Sequence, residues 1–125
     1  QTVSREKEFA MVRRDGTYES EVRENMRGGN GAVKIEHLWK KDELGSKTRL
    51  CARLTLAPGS GIGYHEHNEE EEIFIVNSGR GVVHDGEERT HVEPGDTILT
   101  GNGSAHAVEC EGSEPLVLTA LIVQY

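Results

Sequence analysis

The sequence has few of the features that tie a chain to a secretory or membrane role. Only two cysteines, Cys51 and Cys110, occur in 125 residues, so a dense disulfide framework is excluded and we expect two reduced thiols. No stretch approaches the roughly 18 consecutive apolar residues that span a bilayer. The opening residues also lack the apolar core of a signal peptide. We therefore expect a cytoplasmic protein with no membrane partner.

Positive charge is also scarce in the chain. Lysine and arginine together number 14 against 22 acidic residues, which gives a formal net charge of -8 at pH 7. A field of this sign repels phosphate backbones and anionic membrane surfaces. We therefore expect no nucleic-acid partner.

Glycine, in contrast, is abundant and separates short segments rich in β-branched residues. The chain has 15 glycines, and the segments between them alternate between apolar and polar residues, as half-buried strands do. Two alternating segments, 32–40 and 49–56, show this best. Their apolar sides are Val33, Ile35, His37 and Trp39 in the first segment, and Leu50, Ala52, Leu54 and Leu56 in the second.

Short strands at nearly regular spacing predict an all-β sandwich or barrel. We expect a single domain over residues 1–125, with its core at about 32–125 and an N-terminal arm at about 1–31. The charged run 19–27 is compatible with an arm, a short helix or an edge strand. Asp85 and Gly86 predict a hairpin with a type I′ turn.

Four side chains form a candidate metal site. His65 and His67 are two residues apart in a predicted strand, so their imidazoles project from the same face. Glu72 follows after a short turn that can fold its carboxylate back towards the pair. His106 lies after a glycine-rich turn and can complete the set. Three imidazoles and one carboxylate suit a divalent Mn, Fe, Co, Ni, Cu or Zn ion and leave coordination positions open.

Around these residues the chain resembles the cupin superfamily. Its first motif spaces a glycine, HxH, a glutamate and a second glycine, and it is matched by Gly59, His65, His67, Glu72 and Gly79. The spacing to the second glycine selects Glu72 over Glu71 as the ligand. The second motif is matched by Gly95, Gly103 and His106. The resemblance implies a cupin double-stranded β-helix, or jelly-roll barrel, that binds one metal ion.

Three positions depart from patterns of the superfamily. In the second motif Gly101 replaces a proline and Cys110 replaces an asparagine that is not a ligand. Counting by twos from His106 places Cys110 on the same strand face, either lining a pocket or as a small core residue. Oxalate decarboxylases carry an arginine three residues before HxH, where this chain has Ile62, which counts against that reaction.

The resemblance leaves the function open between two classes. One is a metal-dependent enzyme acting on a small oxygen-rich substrate, of dioxygenase, decarboxylase or isomerase type, with Glu72 as ligand or transient base. The other is a module that binds or senses a small ligand, such as a sugar or sugar acid, without turning it over. In either case the partner is a small molecule, and the resemblance also implies a homodimer.

Other residues near the four candidate ligands in the sequence, or on a neighbouring strand, are assigned no metal-binding role. Glu69, Glu70 and Glu71 are expected in a solvated turn, because only Glu72 has a positional argument. Tyr64 alternates away from the ligand pair and is expected to be structural. His37 shares a face with apolar residues and is compatible with a place on the pocket side, but carries no assigned role.

Overall fold

The computed structural model describes residues 11–125, which form ten strands in two antiparallel sheets and thereby confirm the predicted all-β fold. The larger sheet has the order β1-β2-β3-β10-β5-β8 and the smaller one β4-β9-β6-β7. The strands are β1 (Glu19–Glu24), β2 (Ala32–His37), β3 (Thr48–Leu56), β4 (Gly61–Glu66), β5 (Glu70–Ser78), β6 (Arg80–His84), β7 (Arg89–Val92), β8 (Thr97–Gly101), β9 (Ala105–Glu111) and β10 (Leu116–Gln124). Within residues 11–125 no helix is long and apolar enough to cross a membrane.

The hydrophobic core lies between the two sheets. Strands β3, β5 and β10 lie side by side in the larger sheet, and every second residue is buried over 52–56, 70–76 and 116–122. The predicted leucine face of β3 is confirmed, with Leu54 and Leu56 among the most buried side chains. Alternation of this kind is what a sheet with one face on the core requires.

Strand register brings distant residues together at one end of the barrel. His65 on β4 is the direct partner of His106 on β9. Glu72 on β5 is likewise the partner of Thr100 on β8. Side chains directly opposite each other on antiparallel strands lie on the same face, about 5 Å apart at Cβ. The register therefore places His65 beside His106 and Glu72 beside Thr100.

The predicted strand at 32–40 is shorter than expected. β2 ends at His37, so Trp39 lies outside it. Glu36 was expected on the polar face, yet only 8% of it is exposed. Its carboxylate accepts hydrogen bonds from Nε and Nη2 of Arg53, both at 2.9 Å, and a bidentate ion pair of this kind makes burial of the charge tolerable.

The predicted hairpin is present, but its turn type was wrong. β6 and β7 are joined by residues 85–88, a loop of four residues, and His84 pairs with Arg89. Gly86 has φ +102°, whereas Asp85 is not in the left-handed region that a type I′ turn requires. Instead, Oδ1 of Asp85 accepts hydrogen bonds from the backbone N–H groups of Glu87 and Glu88.

The charged run at 19–27 forms an edge strand and a turn. β1 pairs with β2 along the whole of Glu19–Glu24, and a 3₁₀ turn follows at Met26–Gly28. This part of the expected arm is therefore built onto the larger sheet. Residues 1–10 of the arm lie outside the described residues, and the single-domain boundaries stay a prediction.

Candidate metal centre

The predicted ligands lie together. One ligand atom from each of His65, His67, Glu72 and His106 lies within 4.8 Å of the others. His65 belongs to β4, Glu72 to β5 and His106 to β9. His67 was expected in a strand but follows β4, which ends at Glu66. Its backbone N–H donates to the carbonyl of Ser104 at 3.0 Å, which places it beside β9.

Each imidazole is oriented by a partner at Nδ1. In His65 this nitrogen lies 2.7 Å from the carbonyl oxygen of Gly63, and in His67 it lies 2.6 Å from Oε2 of Glu70. In His106 it lies 2.9 Å from the hydroxyl of Thr100. A carbonyl or carboxylate can only accept, so Nδ1 of His65 and His67 carries the hydrogen. The Nε2 lone pair is then left available to a metal.

The Nε2 atoms converge on the carboxylate of Glu72. Nε2 of His67 lies 3.2 Å from Nε2 of His106, and these atoms lie 2.9 and 3.1 Å from Oε1 of Glu72. All three residues are buried, with His67 and His106 only 2% exposed. The buried Nε2 lone pair of His67 and a carboxylate oxygen of Glu72 face each other at 2.9 Å, which favours a positive charge between them. A divalent ion held by two or three imidazoles and a carboxylate fits this donor set.

His65 differs from the other ligands in exposure. Its side chain is half-buried, and burial lowers the pKa of the imidazole below its ordinary value. The neutral form, which is the form that binds metal, is therefore favoured at neutral pH. On the inner side, the ring of Phe74 stacks on His106 with a centroid distance of 5.0 Å and an interplanar angle of 6°.

Glu70 is a functional residue that the sequence pattern did not single out. It was expected in a solvated turn, but it is the first residue of β5 and only 8% exposed. Its carboxylate accepts two hydrogen bonds of 2.9 Å from Arg49, which lower the pKa of Glu70 to about 2. The ionised carboxylate thus faces Nδ1 of His67. Strand alternation was the available signal, because Glu70 and Glu72 are two residues apart and share a face.

Three of the four candidate metal ligands, His65, His67 and Glu72, border a small cavity of about 100 Å³, here called the metal-side cavity. Its wall is apolar at Ile62, Leu54 and Phe74, and it carries three cations, Arg23, Arg27 and Arg49. The remaining lining residues are Met26, Ile35, His37, Leu50 and Ile122. Around the metal ligands, the wall is therefore cationic although the chain as a whole has a net charge of -8.

The structure also shows the positions of the other residues that were considered from the sequence. Tyr64 is exposed, and its hydroxyl donates to the carbonyl of Asp85 at 3.2 Å, which agrees with the expected structural role. Cys51 and Cys110 are free thiols, as expected. Cys110 belongs to the hydrophobic core and does not line the metal-side cavity. His37 does line that cavity, and its Nε2 lies 3.0 Å from Oε2 of Glu21.

Comparison with protein families supports the resemblance seen in the motifs. A family model described as "Cupin domain" matches residues 52–123. The protein named "Oxalate-binding protein" from Thermotoga maritima is 39% identical over 113 residues, which cover 90% of this chain and 93% of that protein. An uncharacterized protein from Methanocaldococcus jannaschii is 36% identical over 87 residues, 70% of this chain and 69% of that protein.

Solved structures give the same fold. A crystal structure described as a predicted oxalate decarboxylase from Thermotoga maritima has a TM-score of 0.88 and 38% identity, covering 92% of this chain and 100% of that one. The cupin domain of Schizosaccharomyces pombe Cnp3 has a TM-score of 0.68 with 10% identity, over 84% of this chain and 69% of that one. The second likeness concerns the fold alone.

Proposed function

The chain belongs to the cupin family, and we propose that it binds a divalent transition metal ion and, through it, a small oxygen-rich anion of the oxalate class. The ion is held by His65, His67, Glu72 and His106. The family and the donor set support a divalent ion, while the choice among Mn, Fe, Co, Ni, Cu and Zn stays open. The relative named for oxalate binding supports the ligand class.

The observation that carries this proposal is the charge of the cavity wall. Arg23, Arg27 and Arg49 line the cavity that His65, His67 and Glu72 border, and Glu72 is the sole carboxylate among the described lining residues. Arg23 and Arg49 are ion-paired with Glu21 and Glu70, so a bound divalent ion and the guanidinium of Arg27 would provide most of the attraction for an anion. A neutral sugar would gain nothing from this charge, so the structure favours an anionic ligand.

The volume of the cavity limits the size of the ligand. About 100 Å³ is well below the roughly 300–1,000 Å³ of pockets that hold drug-sized ligands. A ligand of a few heavy atoms, with oxygens at both ends, satisfies the metal side and the arginine side at once. Oxalate is the smallest dicarboxylate and meets both requirements.

The protein residues have distinct tasks in this arrangement. The three imidazoles and Glu72 would hold the ion, which when bound supplies a Lewis acid for ligand oxygens. Glu70 and Thr100 fix the rings of His67 and His106 through Nδ1. Ile62 and Phe74 exclude water from one side of the cavity. The ligand would therefore meet an apolar surface beside the ion.

An enzymatic role is a second candidate, and it rests on Glu72. Decarboxylation of the oxalate dianion breaks the carbon–carbon bond, takes up one proton and gives formate and carbon dioxide. Glu72 borders the cavity, so it is the group that would carry this proton. Ile62 stands where oxalate decarboxylases carry arginine, which weighs against turnover. Binding without turnover is therefore the preferred function.

Isothermal titration calorimetry tests the proposal directly. Oxalate is titrated into protein loaded with Mn²⁺ and into the same protein after treatment with a chelator. We expect saturable binding at one site per chain in the loaded protein, and none after chelation. Succinate, a longer dicarboxylate, is the control and is expected to bind at least about tenfold more weakly because the cavity is small. Equal binding with and without metal would contradict the proposal.

An assay for formate separates the two candidates. Loaded protein is incubated with oxalate, and formate is measured over time. Binding without formate supports the preferred function, whereas formate that appears with wild-type protein and not with Glu72→Gln supports decarboxylation. The homodimer and the cytoplasmic location expected from the sequence stay predictions.

A further inference from the structure

Arg27 differs from the other two arginines that line the metal-side cavity. Nε of Arg23 is 2.7 Å from a carboxylate oxygen of Glu21, and Arg49 makes its bidentate ion pair with Glu70. Within residues 11–125, no carboxylate oxygen lies within 4 Å of the Arg27 guanidinium nitrogens. Among the described residues, Arg27 is therefore the cavity-lining arginine without an ion-pair partner, at the wall of a cavity of the size of a small anion.

The backbone holds Arg27 in an unusual conformation. Its φ and ψ are +54° and +28°, in the left-handed region that residues with a Cβ rarely adopt. Asn25 shares this conformation, with φ +52°. Such strain persists only where surrounding contacts impose it, and it is concentrated at functional sites. The contacts that impose it here can be identified.

Close approach of two backbone segments fixes the 25–31 loop, which runs from the end of β1 to the start of β2. A Cβ on Gly63 would overlap the carbonyl of Arg27, and a Cβ on Gly29 would overlap the carbonyl of Gly61. The backbone N–H of Gly61 also donates to the carbonyl of Asn30 at 2.9 Å. Glycines on both segments thus let the loop lie directly on β4.

This contact places Arg27 next to the first metal ligand. Gly63, against which the carbonyl of Arg27 packs, also accepts the hydrogen bond from Nδ1 of His65. The same residue of β4 therefore contacts the backbone of Arg27 and orients the imidazole of His65. The backbone from which the Arg27 side chain extends is thus held against the strand that carries His65.

We propose that Arg27 is the residue that recognises the second charged group of the bound anion, and so selects small dicarboxylates over monocarboxylates. This inference rests on the proposed function, because it states which residue binds the carboxylate of the anion that is farther from the metal. The planar guanidinium can donate two parallel hydrogen bonds to one carboxylate. Arg49 is unsuited to this task, because Nε and Nη2 are already engaged by Glu70.

Calorimetry with two probes and three variants tests the assignment. Oxalate has a carboxylate at both ends, while glycolate has a hydroxyl at one end and carries a single charge. Each is titrated into Mn²⁺-loaded wild type, Arg27→Ala, Arg27→Lys and Arg80→Ala. Arg80 is exposed and does not line the metal-side cavity, so its substitution controls for the loss of one positive charge.

The inference predicts that only the Arg27 variants bind oxalate more weakly and that their affinity for glycolate is nearly unchanged. For Arg27→Ala, Kd for oxalate should rise by about tenfold or more, while Kd for glycolate changes less than about twofold. Arg27→Lys should lie between, because lysine keeps the charge and loses the paired donors. Arg80→Ala should match wild type, and metal content should be equal in all four proteins.

The alternatives are separable. If wild type binds oxalate and Arg27→Ala binds it equally well, or loses glycolate binding to the same degree, the recognition role is wrong and the proposed function stands. If loaded wild type binds no oxalate, the proposed function fails and this inference fails with it. Reduced metal content in Arg27→Ala would show a structural role and would also overturn the assignment.

Discussion

The metal-binding wall and the 25–31 loop border the same cavity but are built in opposite ways. The wall, formed by His65, His67, Glu72 and His106, is built on or directly beside strands β4, β5 and β9, and His67, Glu72 and His106 are buried. The loop follows a strand whose residues are all exposed, and its backbone has positive φ at Asn25, Arg27, Gly28 and Gly31. One side of the cavity is thus determined by the barrel, and the other by a loop resting on it.

This difference separates two properties of the site. In the proposed function, metal binding would depend on strand register and on hydrogen bonds to Nδ1 of the imidazoles. Ligand selection would depend on the exposed side chain of Arg27, whose backbone is held by a few close contacts. Changes in the wall should therefore affect metal content first, and changes in the loop should affect ligand choice while metal remains.

The largest effect is expected from removing a ligand in the wall. His65→Ala and His106→Ala should each lose the bound ion during dialysis against metal-free buffer, because the remaining groups no longer enclose it. The circular dichroism spectrum should remain that of a β protein. His91→Ala is the matched control, since the side chain of His91 is exposed and, within residues 11–125, its ion pair is with Glu111. Unchanged metal content in both ligand variants would refute the assignment.

A smaller effect is expected from Glu70, which acts through His67. Glu70→Gln removes the charge that orients the imidazole and should weaken metal affinity by about 10–100-fold. Glu71→Gln is the control, because it is the same substitution at the adjacent position, whose side chain has no hydrogen bond to a candidate ligand imidazole. Competition with a chromophoric chelator measures both. Equal affinities for the two variants would show that Glu70 does not support the metal site.

The smallest effect is expected from the loop, and it concerns stability. A Cβ at Gly29 meets backbone atoms of β4, so Gly29→Ala should lower the free energy of unfolding by about 1–3 kcal/mol. A Cβ at Gly45 would meet no atom within 4 Å, and Gly45 has no positive φ, so Gly45→Ala should leave stability unchanged. Urea denaturation compares them. If the two variants are equally stable, the close approach of loop and strand is not a constraint.

The same contrast explains how much the sequence revealed. The all-β fold and the clustering of the four candidate ligands could be predicted, because fixed spacing and strand alternation are local properties of the chain. Glu70 was assigned to a solvated turn, although alternation with Glu72 placed it on the ligand face. Its partner Arg49 lies 21 residues away, so the ion pair that permits its burial is a property of the tertiary structure.

The loop could not be predicted for a related reason. Glycines in 28–31 and 59–63 indicate turns in a sequence, yet here several of them allow two backbones to touch. Arg27 carries no motif, and its place at the cavity follows only from that contact. The predicted type I′ turn was wrong for a different reason. The Asp85 carboxylate stabilises a loop of four residues through hydrogen bonds that the Asp-Gly dipeptide alone does not reveal.

The central claim is that the four side chains bind one divalent ion, and anomalous diffraction tests it most directly. Crystals grown with Mn²⁺ are measured above and below the metal absorption edge. The account predicts one strong anomalous peak per chain, at about 2.0–2.3 Å from His65, His67, Glu72 and His106. No peak at this position, or a peak only at exposed residues such as His91, would contradict it.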